Sequence, residues 1–176
     1  MNCPRPLREF MMIRGLSRSS AETRLWGNAL GGVLIGKELI LVHGGLGVGK
    51  TRFVQGLYAG LGGDPGDIVS PTFSLMNVHD LADGLRLLHY DLYRLEAVAG
   101  GRMPEIDDEL GEAIQVVEWA QYLGPRYQKL PDAVTVILEF AGEENGQRNI
   151  FIQWRNLNAA GLAKEMKRLG LDVHSG

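Results

Sequence analysis

The residues best suited to chemistry lie together in GGLGVGKT (residues 44–51), which fits the phosphate-loop (Walker A) pattern G-x-x-x-x-G-K-[ST]. Gly44, Gly47 and Gly49 let the backbone curl until successive N–H groups face one anion, where side chains would block its approach. A helix opening directly after them adds its partial positive charge. Lys50 can reach the terminal phosphates of ATP, and the Thr51 hydroxyl is a ligand for Mg²⁺. One hydroxyl does not complete a magnesium site, so an acid is expected at the end of a neighbouring strand. Two fit: Asp91, after LLHY (residues 87–90), and Glu118, after IQVV (residues 114–117). The pattern leaves open which of them serves.

The motif requires a buried strand before the loop and a helix after it. ELILVH (residues 38–43) is a short apolar run of the kind found in strands covered on both faces. A helix is predicted over 50–61, broken by Gly62, Gly63, Pro65 and Gly66. Ahead of the strand, Ser20 reads as the cap of a helix over 21–34 with Trp26, Leu30, Val33 and Leu34 on its apolar face. Further strands are predicted at 73–78, 85–90, 114–117, 133–140 and 149–154, with a loop and short helix over 98–111. Asn145-Gly146 marks a hairpin turn within 142–147. Leu162, Met166 and Leu169 give a last helix a narrow core-facing stripe.

The expected fold is α/β, a P-loop NTPase-like three-layer arrangement with a mixed sheet that is parallel at its centre. No repeat or long linker divides the chain, so residues 19–176 read as one domain. Residues 1–18, arginine-rich and without a continuous apolar stretch, read as a loose extension, with Met11 or Met12 as an alternative beginning.

Composition narrows the function. The 176 residues carry a net charge of −3 and no dense Lys/Arg stretch, which argues against tight direct binding of nucleic acid. No apolar run approaches the ~20 residues that span a bilayer, and a lone cysteine, Cys3, can form no intrachain disulfide. A cytoplasmic protein is expected.

Beyond the loop, SPTF (residues 70–73), HYDLYRL (residues 89–95), Glu118-Trp119 and Arg148 follow in an order and spacing that resemble the TsaE (formerly YjeE) family, the bacterial ATPases needed for threonylcarbamoyl modification of tRNA adenosine. The likeness covers roughly residues 20–154. It implies that Glu118 joins Thr51 at the magnesium and that Asp91 lies near metal and γ-phosphate, orienting the attacking water. It also implies that residues 70–73 form a switch-like loop sensing the γ-phosphate, with Thr72 its contact. Lys50, Asp91 and Thr72 are then the catalytic candidates. Gly44, Gly47, Val48, Gly49, Lys50, Thr51, Arg52 and Trp119 would line the nucleotide, with Ser20, Gln147 and Arg148 flanking it more distantly. The implied partners are ATP and ADP, the TsaD and TsaB proteins, and tRNA indirectly through them. Two residues depart from the family pattern: Gly45 stands where an acid is usual, and Val48 where alanine is usual.

Two other readings use the same loop. A small-molecule kinase would need an arginine-bearing lid, for which Arg94, Arg102 and Arg126 are the candidates, and a nucleotide-gated binding module would scarcely turn over. A GTPase is disfavoured because no N-K-x-D motif follows the loop.

Overall fold

The apolar run after Glu38 is the centre of the sheet in a computed structural model that describes residues 9–71, 75–95, 101–142 and 146–175. The strands are β1 (Met11–Ser17), β2 (Leu39–His43), β3 (Met76–Asp80), β4 (Arg86–Asp91), β5 (Ile114–Glu118), β6 (Ala133–Phe140), β7 (Arg148–Trp154) and β8 (Val173–Ser175). They hydrogen-bond in the order β3-β4-β5-β2-β6-β7-β1-β8. The pairs β4–β5, β5–β2 and β2–β6 are parallel, and the outer pairs are antiparallel. This is the mixed sheet with a parallel centre that the sequence predicts. The helices are α1 (Ser20–Gly31), α2 (Lys50–Gly60), α3 (Pro104–Asp107) and α4 (Ala159–Arg168). Among the described residues, no helix is long and apolar enough to cross a membrane.

Alternation along β2 explains its composition. Ile40 and Val42 pack with Trp26, Phe53, Leu57 and Met166 on the side of α1, α2 and α4, whereas Leu39 and Leu41 join Tyr90, Ile106 and Tyr127 on the other. Both faces are apolar because both are covered. The strand's entry is fixed by Glu38, 3% exposed, whose carboxylate accepts the N–H groups of Ile35, Gly36 and Lys37 at 2.9, 3.1 and 3.1 Å.

Helices α1 and α2 approach more closely than ordinary side chains allow. A Cβ on Gly27 would lie 2.0 Å from the Phe53 carbonyl oxygen, one on Gly31 2.1 Å from that of Leu57, and one on Gly56 1.9 Å from that of Arg24. Glycines spaced by four on each helix therefore let backbone meet backbone, and the crossing fixes α2, whose first turn carries Lys50 and Thr51. Gly27→Ala gains helix propensity of up to about 1 kcal/mol but forces the helices apart, at a cost of about 3 kcal/mol or more. A fall in melting temperature of about 4–8 °C is the expected net result. A thermal melt at or above that of the unsubstituted chain would show that the close crossing does not contribute to stability.

Several expectations need correcting. The loose extension drawn over residues 1–18 is, from Met11 to Ser17, a strand paired with both β7 and β8. The run conceals its alternation because one inward position is Gly15, where a Cβ would stand 2.6 Å from the Trp26 ring. Ser19, rather than Ser20, caps α1 by accepting the Glu22 N–H at 3.1 Å, while the Glu22 carboxylate accepts the Arg18 N–H at 2.7 Å. The helix stops at Gly31 instead of residue 34, since two consecutive glycines favour the tighter bonds seen from Val33 to Leu30 and Leu34 to Gly31. β3 is observed over Met76–Asp80, and the predicted start at Phe73 lies outside the described residues. Thr72, Phe73 and Asn145 lie outside the described residues.

Candidate functional site

Strand direction places the site. β2, β4 and β5 run parallel, so the loop after β2 and the last residues of β4 and β5 gather at one edge, where open α/β sheets bind ligands. Asp91 and Glu118 are register partners, and Val42 pairs with Glu118 from the other side. The loop takes positive φ at Gly44, Gly47 and Gly49 (148°, 73° and 109°), a region that disfavours side-chain-bearing residues. It ends in the first turn of α2, whose N–H groups have no intrahelical acceptor.

Lys50 is 5% exposed. Its Nζ donates to the carbonyls of Gly44 at 3.0 Å and Gly45 at 2.7 Å, and lies 3.6 Å from the centre of the Trp119 ring. Burial pulls the ammonium below the usual lysine range, and the carboxylates of Glu118 and Asp91 work against that shift. Trp119 reaches the lysine because its backbone is left-handed (φ 60°, ψ 38°), a conformation that costs about 1–2 kcal/mol in an L-residue. Its ring is also 4.7 Å from that of Tyr93.

Glu118, 2% exposed, uses each oxygen once: Thr51 Oγ1 donates to Oε2 at 3.0 Å, and His89 Nε2 lies 2.9 Å from Oε1. Asp91 accepts from the Ser70 hydroxyl at one oxygen and from the Tyr93 N–H at the other, the latter at 2.9 Å. A cavity of about 340 Å³ is lined by Leu46, Gly47, Gly49, Lys50, Thr51, Arg52, Ser70, Asp91, Tyr93, Glu118 and Trp119. A hydroxyl and a carboxylate are hard oxygen donors that suit Mg²⁺, which keeps waters and substrate oxygens as its remaining ligands. No group of three or more His, Cys, Asp or Glu side chains arranged to hold a metal occurs among the described residues.

The residues singled out from the sequence divide here. Gly47, Gly49, Lys50, Thr51, Arg52, Asp91, Glu118 and Trp119 share the cavity wall. Val48 turns its side chain into the core, and its carbonyl accepts from Arg148 Nε at 2.9 Å, so Arg148 braces the loop backbone. Gly44 contributes the carbonyl that holds Lys50. Ser20 and Gln147 do not line the cavity, and Ser20 is exposed on the first turn of α1. Thr23, one turn further on, is the residue of α1 that approaches Gly49, steadied by a 2.8 Å hydrogen bond with Ser17. Nothing in the sequence signals that pair. Ser70 was legible only through SPTF, and His89 through its place two residues before Asp91, which puts both on one face of β4. None of the proposed lid arginines lines the cavity, and Arg102 and Arg126 are bound to Asp107. Gly45 is not imposed by packing, since a Cβ there would meet nothing within 4 Å.

Residues 17–150 match the family model described as "Threonylcarbamoyl adenosine biosynthesis protein TsaE". The chain belongs to the TsaE family. The curated TsaE of Treponema pallidum (strain Nichols) is 33% identical over 135 residues, covering 76% of this chain and 96% of that protein. The TsaE of Synechocystis is 41% identical over 106 residues, covering 57% of this chain and 66% of its own. Among solved structures, Bacillus subtilis YdiB shares the fold at a TM-score of 0.66 and 23% identity, covering 91% of this chain and 97% of that one. Within this TsaE-family chain the matched region ends at Ile150, while β1, most of β7, α4 and β8 lie partly or wholly outside it.

Proposed function

We propose that the chain binds ATP with Mg²⁺ and hydrolyses it slowly to ADP and phosphate, as an accessory to the threonylcarbamoyl modification of tRNA adenosine carried out by TsaD and TsaB. The observation that carries this reading is the convergence on one cavity of Lys50, held at the glycine loop, and the Thr51–Glu118 pair. Lys50 and the first-turn N–H groups of α2 would bind the phosphates. Thr51 and Glu118 would hold the ion, which supplies charge neutralisation at the phosphates. Asp91, steadied by Ser70 and the Tyr93 N–H, would accept a proton from, or orient, the attacking water. The net charge of −3 suits a protein that leaves the holding of tRNA to its partners, and work in the cytoplasm follows from that role.

Glu118→Ala tests the site directly. A hydrogen bond or ligand contact from a charged group contributes about 1.5–3 kcal/mol, which is about tenfold to a hundredfold in affinity. Calorimetry should therefore show Mg·ATP weakened about tenfold or more beyond any loss for metal-free ATP. Equal loss in the two conditions would assign Glu118 to packing. Capture of TsaB and TsaD by the chain with ATP, and not without it, is the expected partner result; capture indifferent to nucleotide would count against the accessory role.

A further inference from the structure

His89 is fully buried and comes from β4, yet its Nε2 meets a carboxylate on the neighbouring strand at 2.9 Å. Alternation explains how it gets there. Leu87 packs on the α2 side of the sheet, so His89 and Asp91 face that way too, as do Ile114, Val116 and Glu118 on β5. Below the N-terminus of α2, the chain Thr51–Glu118–His89 thus runs from helix to sheet with one hydrogen bond to each carboxylate oxygen. The Nδ1 atom of His89 is buried with no hydrogen-bond partner among the described residues. A proton on Nε2 satisfies Glu118 and leaves Nδ1 a bare acceptor, whereas the other tautomer would bury an unpaired N–H and set two acceptors face to face.

We infer that His89 is a positioning residue: its Nε2–H holds one oxygen of Glu118 so that the other is presented, with the Thr51 hydroxyl, to the metal that accompanies the nucleotide. The inference rests on the proposed Mg·ATP site. Glu118 is almost wholly buried, so water does not readily replace a lost partner of its carboxylate. Without the imidazole N–H, Glu118 turns to satisfy its free oxygen and the pair with Thr51 is misaligned. Outer partners of this kind typically change metal affinity by about tenfold to a hundredfold.

The test compares His89→Gln, whose amide N–H can reach the position of Nε2, with His89→Met, which has similar bulk and no donor. For each full-length variant the ATP dissociation constant is measured by calorimetry with Mg²⁺ and with EDTA, beside a thermal melt. In the unsubstituted chain Mg²⁺ should tighten binding. His89→Met should lose about tenfold of that gain while metal-free ATP affinity stays within a fewfold, and His89→Gln should keep the gain. If the Met variant does not fold, His89→Asn replaces it, because its shorter amide reaches only the position of Nδ1. A donor-less variant that keeps the full Mg²⁺ gain overturns the inference, and so does loss of affinity to the same extent with and without metal. An unsubstituted chain whose ATP affinity is indifferent to Mg²⁺ would instead remove the metal assignment of Thr51 and Glu118, and the inference with it.

Discussion

Lys50→Ala is expected to lose ATP binding by on the order of a hundredfold or more, since the two contacts that Lys50 would make to charged phosphate oxygens, at about 1.5–3 kcal/mol each, would be lost together. The fold should survive the change, although not for the reason the sequence suggests. A phosphate-loop lysine reads as solvent-facing; here it is buried beneath Trp119 with its ammonium on the Gly44 and Gly45 carbonyls. Burial opposes that charge: the unfolded chain binds the Lys50 proton more tightly than the folded one. The resulting penalty is present at neutral pH, and stability rises only as alkaline pH removes the proton. Substitution relieves this penalty, while Gly45, exposed at the loop tip, can give its carbonyl to water. Melting temperature should therefore change little as affinity collapses. Calorimetry with ATP beside a thermal melt measures both, and a folded variant with unchanged affinity would remove the nucleotide from this loop.

Asp91→Asn separates turnover from binding. On the proposed function, ground-state binding would rest on the loop and Lys50, whereas hydrolysis also needs a water held and relieved of a proton. The substitution keeps an oxygen for the Tyr93 N–H, and the Ser70 hydroxyl can accept from the new amide, so the local structure has partners in both forms. ATP affinity should stay within a fewfold while partner-stimulated hydrolysis falls by on the order of a hundredfold, the scale of a lost proton acceptor. Capture of the TsaB–TsaD pair with ATP should persist, because hydrolysis no longer resets the complex. Phosphate release measured with TsaB, TsaD and tRNA, beside ATP affinity, decides the matter. Hydrolysis that survives takes Asp91 out of catalysis, and a parallel fall in affinity makes it a binding residue.

The parts of this protein that were legible in the sequence are those where local chemistry dictates local conformation. Glycines at 44, 47 and 49 are needed because the backbone there takes positive φ, and a doubly covered strand has to be apolar along its length. Both signals survive without knowledge of the rest of the chain. β1 was not legible, because Gly15 looks like a break until Trp26 is seen to fill the space beside it. The glycines of α1 and α2 read as weak points in two helices, and only the crossing reveals them as the surface through which the loop's helix is held.

The sequence by itself determined the loop, the parallel strands that flank it and the two acids at their ends. Which acid stands with Thr51 was left open by the pattern and implied as Glu118 only by the family resemblance; the tertiary structure pairs the two. Glu118 is the register partner of Val42 on β2 and faces the α2 side of β5, whereas Asp91 lies one strand further out, beside Ser70. The burial of Lys50, the turn of Trp119 over it and the meeting of His89 with Glu118 were decided in the same way. Each is a contact between segments far apart along the chain, and residue types or spacing within one segment carry no record of which strand will lie beside which.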